Sequence, residues 1–239
     1  MNPWVHYLIE LRRRLLRFVI FTVMCFTALS LFSRPLYNVL ALPLLKQLTN
    51  GQHLIATSIA APFFVPLKFA FFCSLFLSIP YGLWQFWQFI APGLYQHEKR
   101  LGRFVLGSSI ALFYGGVAFV YGVVFPMIFR FMQFAVPDSV TLLPDMATYL
   151  EFCTQLALAF GFAFEVPMVI VVLIRLHIVT VEQCRAFRPY FIVSAFIIGM
   201  LLTPPDVISQ CMLAVPLCAL FELGLWLGLY WTSTTKLEK

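Results

Sequence analysis

Apolar runs separated by short polar stretches organise this chain. Residues 15–32, 63–89, 104–125 and 151–174 are predominantly apolar. About 20 such residues cross a hydrocarbon core of roughly 30 Å as helix. Two further runs, 190–202 and 207–230, close the chain. The pattern predicts an all-α integral membrane protein, with 1–239 forming one six-helix transmembrane domain. The last two segments form a short hairpin. Thr203-Pro204-Pro205-Asp206 forces a tight turn between them, because neither proline continues a helix normally. The fifth run reaches only ~20 Å as helix. Mismatch of that kind thins the bilayer or leaves the hairpin short of the far face.

The connections carry their own signals. Residues 35–48 place Leu36, Val39, Leu40, Pro43, Leu44 and Leu48 at helical spacing, which predicts a short helix in the membrane interface. Pro80 should bend the second span, and Trp84 and Trp87 should anchor its end near the headgroups. Small residues in the third span (Gly107, Ser108, Ser109, Gly115, Gly116) predict close helix approach. Residues 126–149 read as a loop, with Pro137-Asp138 and Pro144-Asp145 as turn signals. Residues 175–189 read as a short basic loop. The first run also imitates a secretory signal: Arg12, Arg13 and Arg14 precede it, and Ala28-Leu29-Ser30 looks like a cleavage site. Five more apolar runs follow, so it is read as a first span and signal anchor.

Composition agrees with the pattern and narrows the function. The chain is 62% hydrophobic and 11% charged, too apolar for a soluble surface. With six spans, 12 Lys and Arg fall on the side of the termini and 4 on the other, so the positive-inside rule places both termini in the cytoplasm. That bias accounts for most of the net charge of +6 without a nucleic-acid partner. The six cysteines stand singly and the four histidines are isolated, which gives no disulfide framework, metal site or cofactor signature. G-x-S-x-G, H-E-x-x-H and phosphate-loop patterns are missing, which argues against an enzyme.

A few acids stand out. Glu10 precedes the first span, and Glu98 lies in the polar break between the second and third spans, beside Lys99 and Arg100. A carboxylate accepts paired N–H bonds from a guanidinium, so two of them can hold two adjacent arginines. The same residues also read as local charge balance, since Glu10 and Arg14 are four apart on a helix. Glu165 lies in the fourth span just before Pro167. Acids at that depth cost about 2.5–3.5 kcal/mol on insertion scales. Glu165 is expected to face a wet concavity, to be protonated, or to bond to another helix. Pro167 should kink the span, because it cannot bond the carbonyl of Ala163. Glu222, near the end of the last span, is expected to snorkel or pack locally. Gln210, close to Thr203 and Asp206, could bond another membrane protein, whereas Asp206 itself reads first as a helix cap. A proton-coupled small-solute transporter using Glu165 is the rival class on these residues alone.

Several motifs resemble one family. They are His6-Tyr7-Leu8-Ile9-Glu10-Leu11-Arg12, Ala56-Thr57 with Pro62-Phe63-Phe64, Phe89-Ile90-Ala91-Pro92-Gly93-Leu94-Tyr95 with His97-Glu98-Lys99-Arg100, Phe164-Glu165-Val166-Pro167, and Gly199-Met200-Leu201-Leu202-Thr203-Pro204-Pro205-Asp206 with Ser209-Gln210. In order and spacing they resemble the TatC family, the multispanning receptors of the twin-arginine protein translocase. The resemblance implies six spans in a cupped bundle, cytoplasmic termini, the inner membrane and no cofactor. It implies export of folded proteins by the proton-motive force. It further implies that Glu10 and Glu98, with Arg12 and Phe89 beside them, bind the twin arginines of signal peptides. Glu165 becomes the acid of the concave face. Met200, Thr203 and Gln210 become contacts for single-span partners of the TatA and TatB type. Pro43 and Asp206 become functionally sensitive loop positions, and self-association in a larger complex is expected.

Overall fold

The structure is a computed structural model that describes residues 3–45, 54–90, 99–135, 143–175, 178–202 and 207–237. Ten α-helices follow in order: α1 Pro3–Ser30, α2 Ser33–Leu45, α3 Ala61–Ile90, α4 Lys99–Phe119, α5 Phe125–Ala135, α6 Met146–Ala163, α7 Val166–Arg175, α8 Val181–Ala186, α9 Arg188–Leu202 and α10 Val207–Leu237. Spans of sufficient length and apolarity are Ala61–Gln85, Val105–Phe134, Met146–Arg175 and Gln210–Tyr230. The bent pair Ile9–Ser30 and Ser33–Leu45 adds another, and Arg188–Leu202 is a shorter apolar helix. Each overlaps one of the six apolar runs, and the third, Val105–Phe134, extends past its predicted end at 125.

Contacts divide the chain into two compact units, 1–110 with 136–151 and 111–135 with 152–239. In the first unit, α1 and α3 pack antiparallel. Phe18 covers Gly82, where a Cβ would come within 2.8 Å of the ring. Phe21 lies 4.8 Å from Tyr81 and Phe26 5.8 Å from Phe71, centroid to centroid. Ser74 and Ser78 are fully buried in α3. Their hydroxyls donate to the carbonyls of Phe71 and Ser74, so they leave no unmet polar group in the core.

After α1, the chain turns by 85° into α2. A helix therefore forms where one was predicted, and its inward face is Tyr37, Leu40, Ala41, Pro43 and Leu44. Val39, expected on that face, is exposed, because the buried stripe follows Tyr37 at i+3, i+4 and i+7. Leu48 lies outside the described residues. Two tyrosines fasten α2. The Tyr149 hydroxyl donates to the Leu40 carbonyl at 2.8 Å, and the Tyr37 hydroxyl to the Met146 carbonyl at 3.3 Å.

In the second unit, the third span runs past the loop expected from residue 126. A π-helical turn, Val120–Val124, joins α4 to α5, and the Phe125 N–H donates to the Val120 carbonyl. The wider turn shifts the bonding register just before Pro126, whose missing N–H then does not end the helix. α4 and α6 meet through reciprocal small and large residues. A Cβ on Gly116 would lie 2.6 Å from the Phe160 carbonyl, and one on Gly161 would lie 2.5 Å from the Phe113 ring. Gly107 and Gly115, also expected at close contacts, have open space instead. The fourth span breaks at Phe164–Glu165 into α6 and α7, one turn before Pro167, as the missing Ala163 bond predicts. Thr180 and Gln183 form a capping box that starts α8. A core of Ile170, Ile174, Val181, Cys184, Phe221 and Leu225 joins α7, α8 and α10.

Candidate functional site

Glu10 occupies the polar end of α1, whose neighbouring turns carry Arg12, Arg13, Arg14 and Arg17. Its carboxylate is held from its own helix. Arg14 donates to Glu10 Oε1 from Nε at 3.0 Å and from Nη2 at 2.6 Å. The i,i+4 spacing made this pair available. The same guanidinium also crosses to α3. Nη1 reaches the Gln85 carbonyl at 3.3 Å, Gln85 Oε1 at 3.2 Å and Gln88 Oε1 at 3.0 Å, while Nη2 reaches the Gln88 carbonyl at 3.4 Å. Gln85 is buried, and its amide donates to the Tyr81 hydroxyl. Arg14 thus closes the C-terminal end of α3, where a cation is favoured by the carbonyl dipoles.

A depression of about 360 Å³ lies over this place, lined among the described residues by Ile9, Glu10, Arg13, Arg14 and Arg17. Arg12 is exposed on the same helix. Phe89 belongs to the last turn of α3, and the chain continues from Ile90 into the stretch that carries Glu98. Glu98, Thr203 and Asp206 lie outside the described residues.

The remaining predicted positions are distributed elsewhere. Pro43 is buried in α2 within the first unit. Glu165 lies in the turn between α6 and α7 in the second unit, with Oε1 buried and its carbonyl accepting the Val169 N–H. Met200 is exposed near the end of α9. Gln210 does not reach outward with its amide: Nε2 donates to the Phe196 carbonyl at 2.8 Å, across the α9–α10 hairpin. Glu222 pairs with Arg188 of α9 at 2.6 Å, an exposed ion pair between helices.

Gln85 and Gln88 escaped the sequence analysis. Two amides three residues apart at the end of an otherwise apolar span are the signal that marks them, since only one helix face can be polar there. Asp145 was read as a turn residue and proves to be a cap and a cross-link as well.

The family described as Sec-independent protein translocase protein (TatC) matches residues 6–216. The chain belongs to the TatC family. It is 51% identical over 224 residues to the Sec-independent protein translocase protein TatC of Haemophilus influenzae, covering 94% of this chain and 88% of that protein. It is 48% identical to the Escherichia coli K12 TatC, over 97% of this chain and 90% of that one. A solved structure described as that of the twin arginine translocase receptor TatC superposes with a TM-score of 0.84 at 36% identity, covering 95% of this chain and 99% of that chain. As a TatC-family member the chain is a multi-pass membrane component of a protein translocase, not an enzyme. The matched relatives are translocase proteins, which gives the solute-transporter alternative no support.

Proposed function

We propose that the chain is the signal-peptide receptor and assembly core of a twin-arginine translocase in the inner membrane, with both termini cytoplasmic. Glu10 and Glu98 each take one arginine of the signal, with Arg12 and Phe89 beside them. The peptide's apolar part then runs along the membrane toward Glu165. Single-span TatA and TatB type proteins dock at the hairpin through Met200, Thr203 and Gln210. Pro43 and Asp206 keep their connections in shape, and copies of the complex associate to carry folded cargo, driven by the proton-motive force.

The observation that carries this proposal is the Glu10 carboxylate, which already accepts a guanidinium at 2.6 Å beside the end of α3. A carboxylate that orders one guanidinium is chemically suited to a second. The excess of Lys and Arg on the side of the termini supports the cytoplasmic placement.

The test is binding of an Arg-Arg signal peptide and its Lys-Lys form to the purified chain in nanodiscs. Glu10→Ala and Glu98→Ala should each weaken Arg-Arg binding about tenfold, and Lys-Lys should bind weakly throughout. Equal affinity across all combinations would overturn the proposal.

A further inference from the structure

We infer that Arg14 is a positioning residue for arginine recognition: its forked guanidinium fixes the Glu10 carboxylate against the end of α3 and so sets the geometry in which that carboxylate meets a ligand. This rests on the receptor function proposed above. Arg14 is only 16% exposed, against 32% for Glu10. Its Nε and Nη2 face Glu10, and its Nη1 faces Gln85 and Gln88. A guanidinium can serve two such sides because it carries five N–H donors in a rigid plane. A lysine ammonium offers a point charge on a flexible stem and cannot hold both sides in one geometry.

Among the described residues both bonds to Glu10 fall on Oε1. That leaves Oε2 as the oxygen for a ligand guanidinium. The tie to Gln85 and Gln88 holds the Glu10 carboxylate in one place relative to the end of α3. A displaceable latch, in which the ligand's arginine evicts Arg14, fits the geometry less well. Eviction would break the bonds to Gln85 and Gln88 as well as those to Glu10.

The experiment is a double-mutant cycle on Arg-Arg peptide binding, with the whole chain in nanodiscs. The variants are Glu10→Ala, Arg14→Gln, Arg14→Lys and the pair Glu10→Ala with Arg14→Gln. Each single change should weaken binding about tenfold, Arg14→Lys included, and the pair should be no weaker than Glu10→Ala alone, since coupled residues are non-additive. Arg14→Lys keeps the charge and guards against loss of fold in Arg14→Gln. Wild-type affinity in Arg14→Lys, additive losses in the pair, or tighter binding on removal of Arg14 would each overturn the assignment. If Glu10→Ala weakens binding while the Arg14 variants do not, only the role of Arg14 falls. If Glu10→Ala binds as wild type, the receptor proposal falls and Arg14 with it.

Discussion

Asp145 holds Thr57 by two bonds to one oxygen: Oδ1 accepts the Thr57 amide at 3.1 Å and its hydroxyl at 2.9 Å. Oδ2 accepts the Ala147 and Thr148 amides at 3.1 Å each, capping α6. A single parallel bridge between Ile55 and Asp145 lies at the same place, so one residue starts a helix and pins the segment leading into α3. Asp145→Ala should therefore cost about 1–2 kcal/mol, the upper part of the range for a lost N-cap. Thermal unfolding in detergent measures it.

The same carboxylate predicts a pH dependence. The Thr148 amide chiefly, with the Thr57 and Ala147 bonds and against a partial burial, holds its pKa at about 2 instead of the ordinary 3.8. A depressed carboxylate contributes stability that is complete above its ordinary pKa and is lost as pH falls through the folded one. Hydrogen exchange at the Thr57 amide should stay protected at pH 4 and lose that protection near pH 2. In Asp145→Ala the protection should be absent at both.

The glycines of α10 predict opposite outcomes to one in α4. A Cβ on Gly224 would lie 2.8 Å from the Pro167 Cα, which is backbone and cannot swing aside. Gly224→Val should destabilise by about 1–3 kcal/mol, as overpacking does. Gly115 has nothing within 4 Å of its added Cβ. Gly115→Ala should be neutral or stabilising by up to about 1 kcal/mol, because alanine loses less entropy in a helix. Melting temperatures of the two variants should move in opposite directions or differ by several degrees.

Arg188 and Glu222 pair with side chains 45% and 48% exposed. Exposed pairs contribute less than about 1 kcal/mol and are screened by salt. Glu222→Gln should lower the melting temperature slightly at low salt and not at all at high salt. A large, salt-independent loss would show that the pair is more desolvated than its exposure indicates.

Gln210→Leu removes one bond to the Phe196 carbonyl. Such bonds within membrane bundles average about 0.6 kcal/mol, so the isolated chain should remain nearly as stable. Loss of co-purifying single-span partners from a chain that still melts normally would place Gln210 in partner contact. Retained partners would confine it to the hairpin.

Glu10 shows how far sequence reached into the site. Its i,i+4 relation to Arg14 was legible because helix periodicity alone brings those side chains together. The reach of Arg14 to Gln85 and Gln88 was not, because it joins residues more than seventy positions apart and depends on how α1 and α3 are packed. The loop expected from residue 126 begins later for a similar reason: a π-helical turn absorbs Pro126, and no local pattern announced that turn. Pro167 was read correctly, because its effect on the Ala163 carbonyl is local.

The sequence by itself determined the apolar runs, their helical state, the charge bias and the family motifs. These follow from the bilayer's demand for long apolar helices and from residue order alone. The tertiary structure alone decided which face of α2 turns inward, that Asp145 spans from α6 to Thr57, and that Arg14 binds Glu10 to the end of α3. Each of those depends on side chains meeting across helices. In a chain this apolar, many packings satisfy the same hydropathy, and the few polar groups that must find partners select among them.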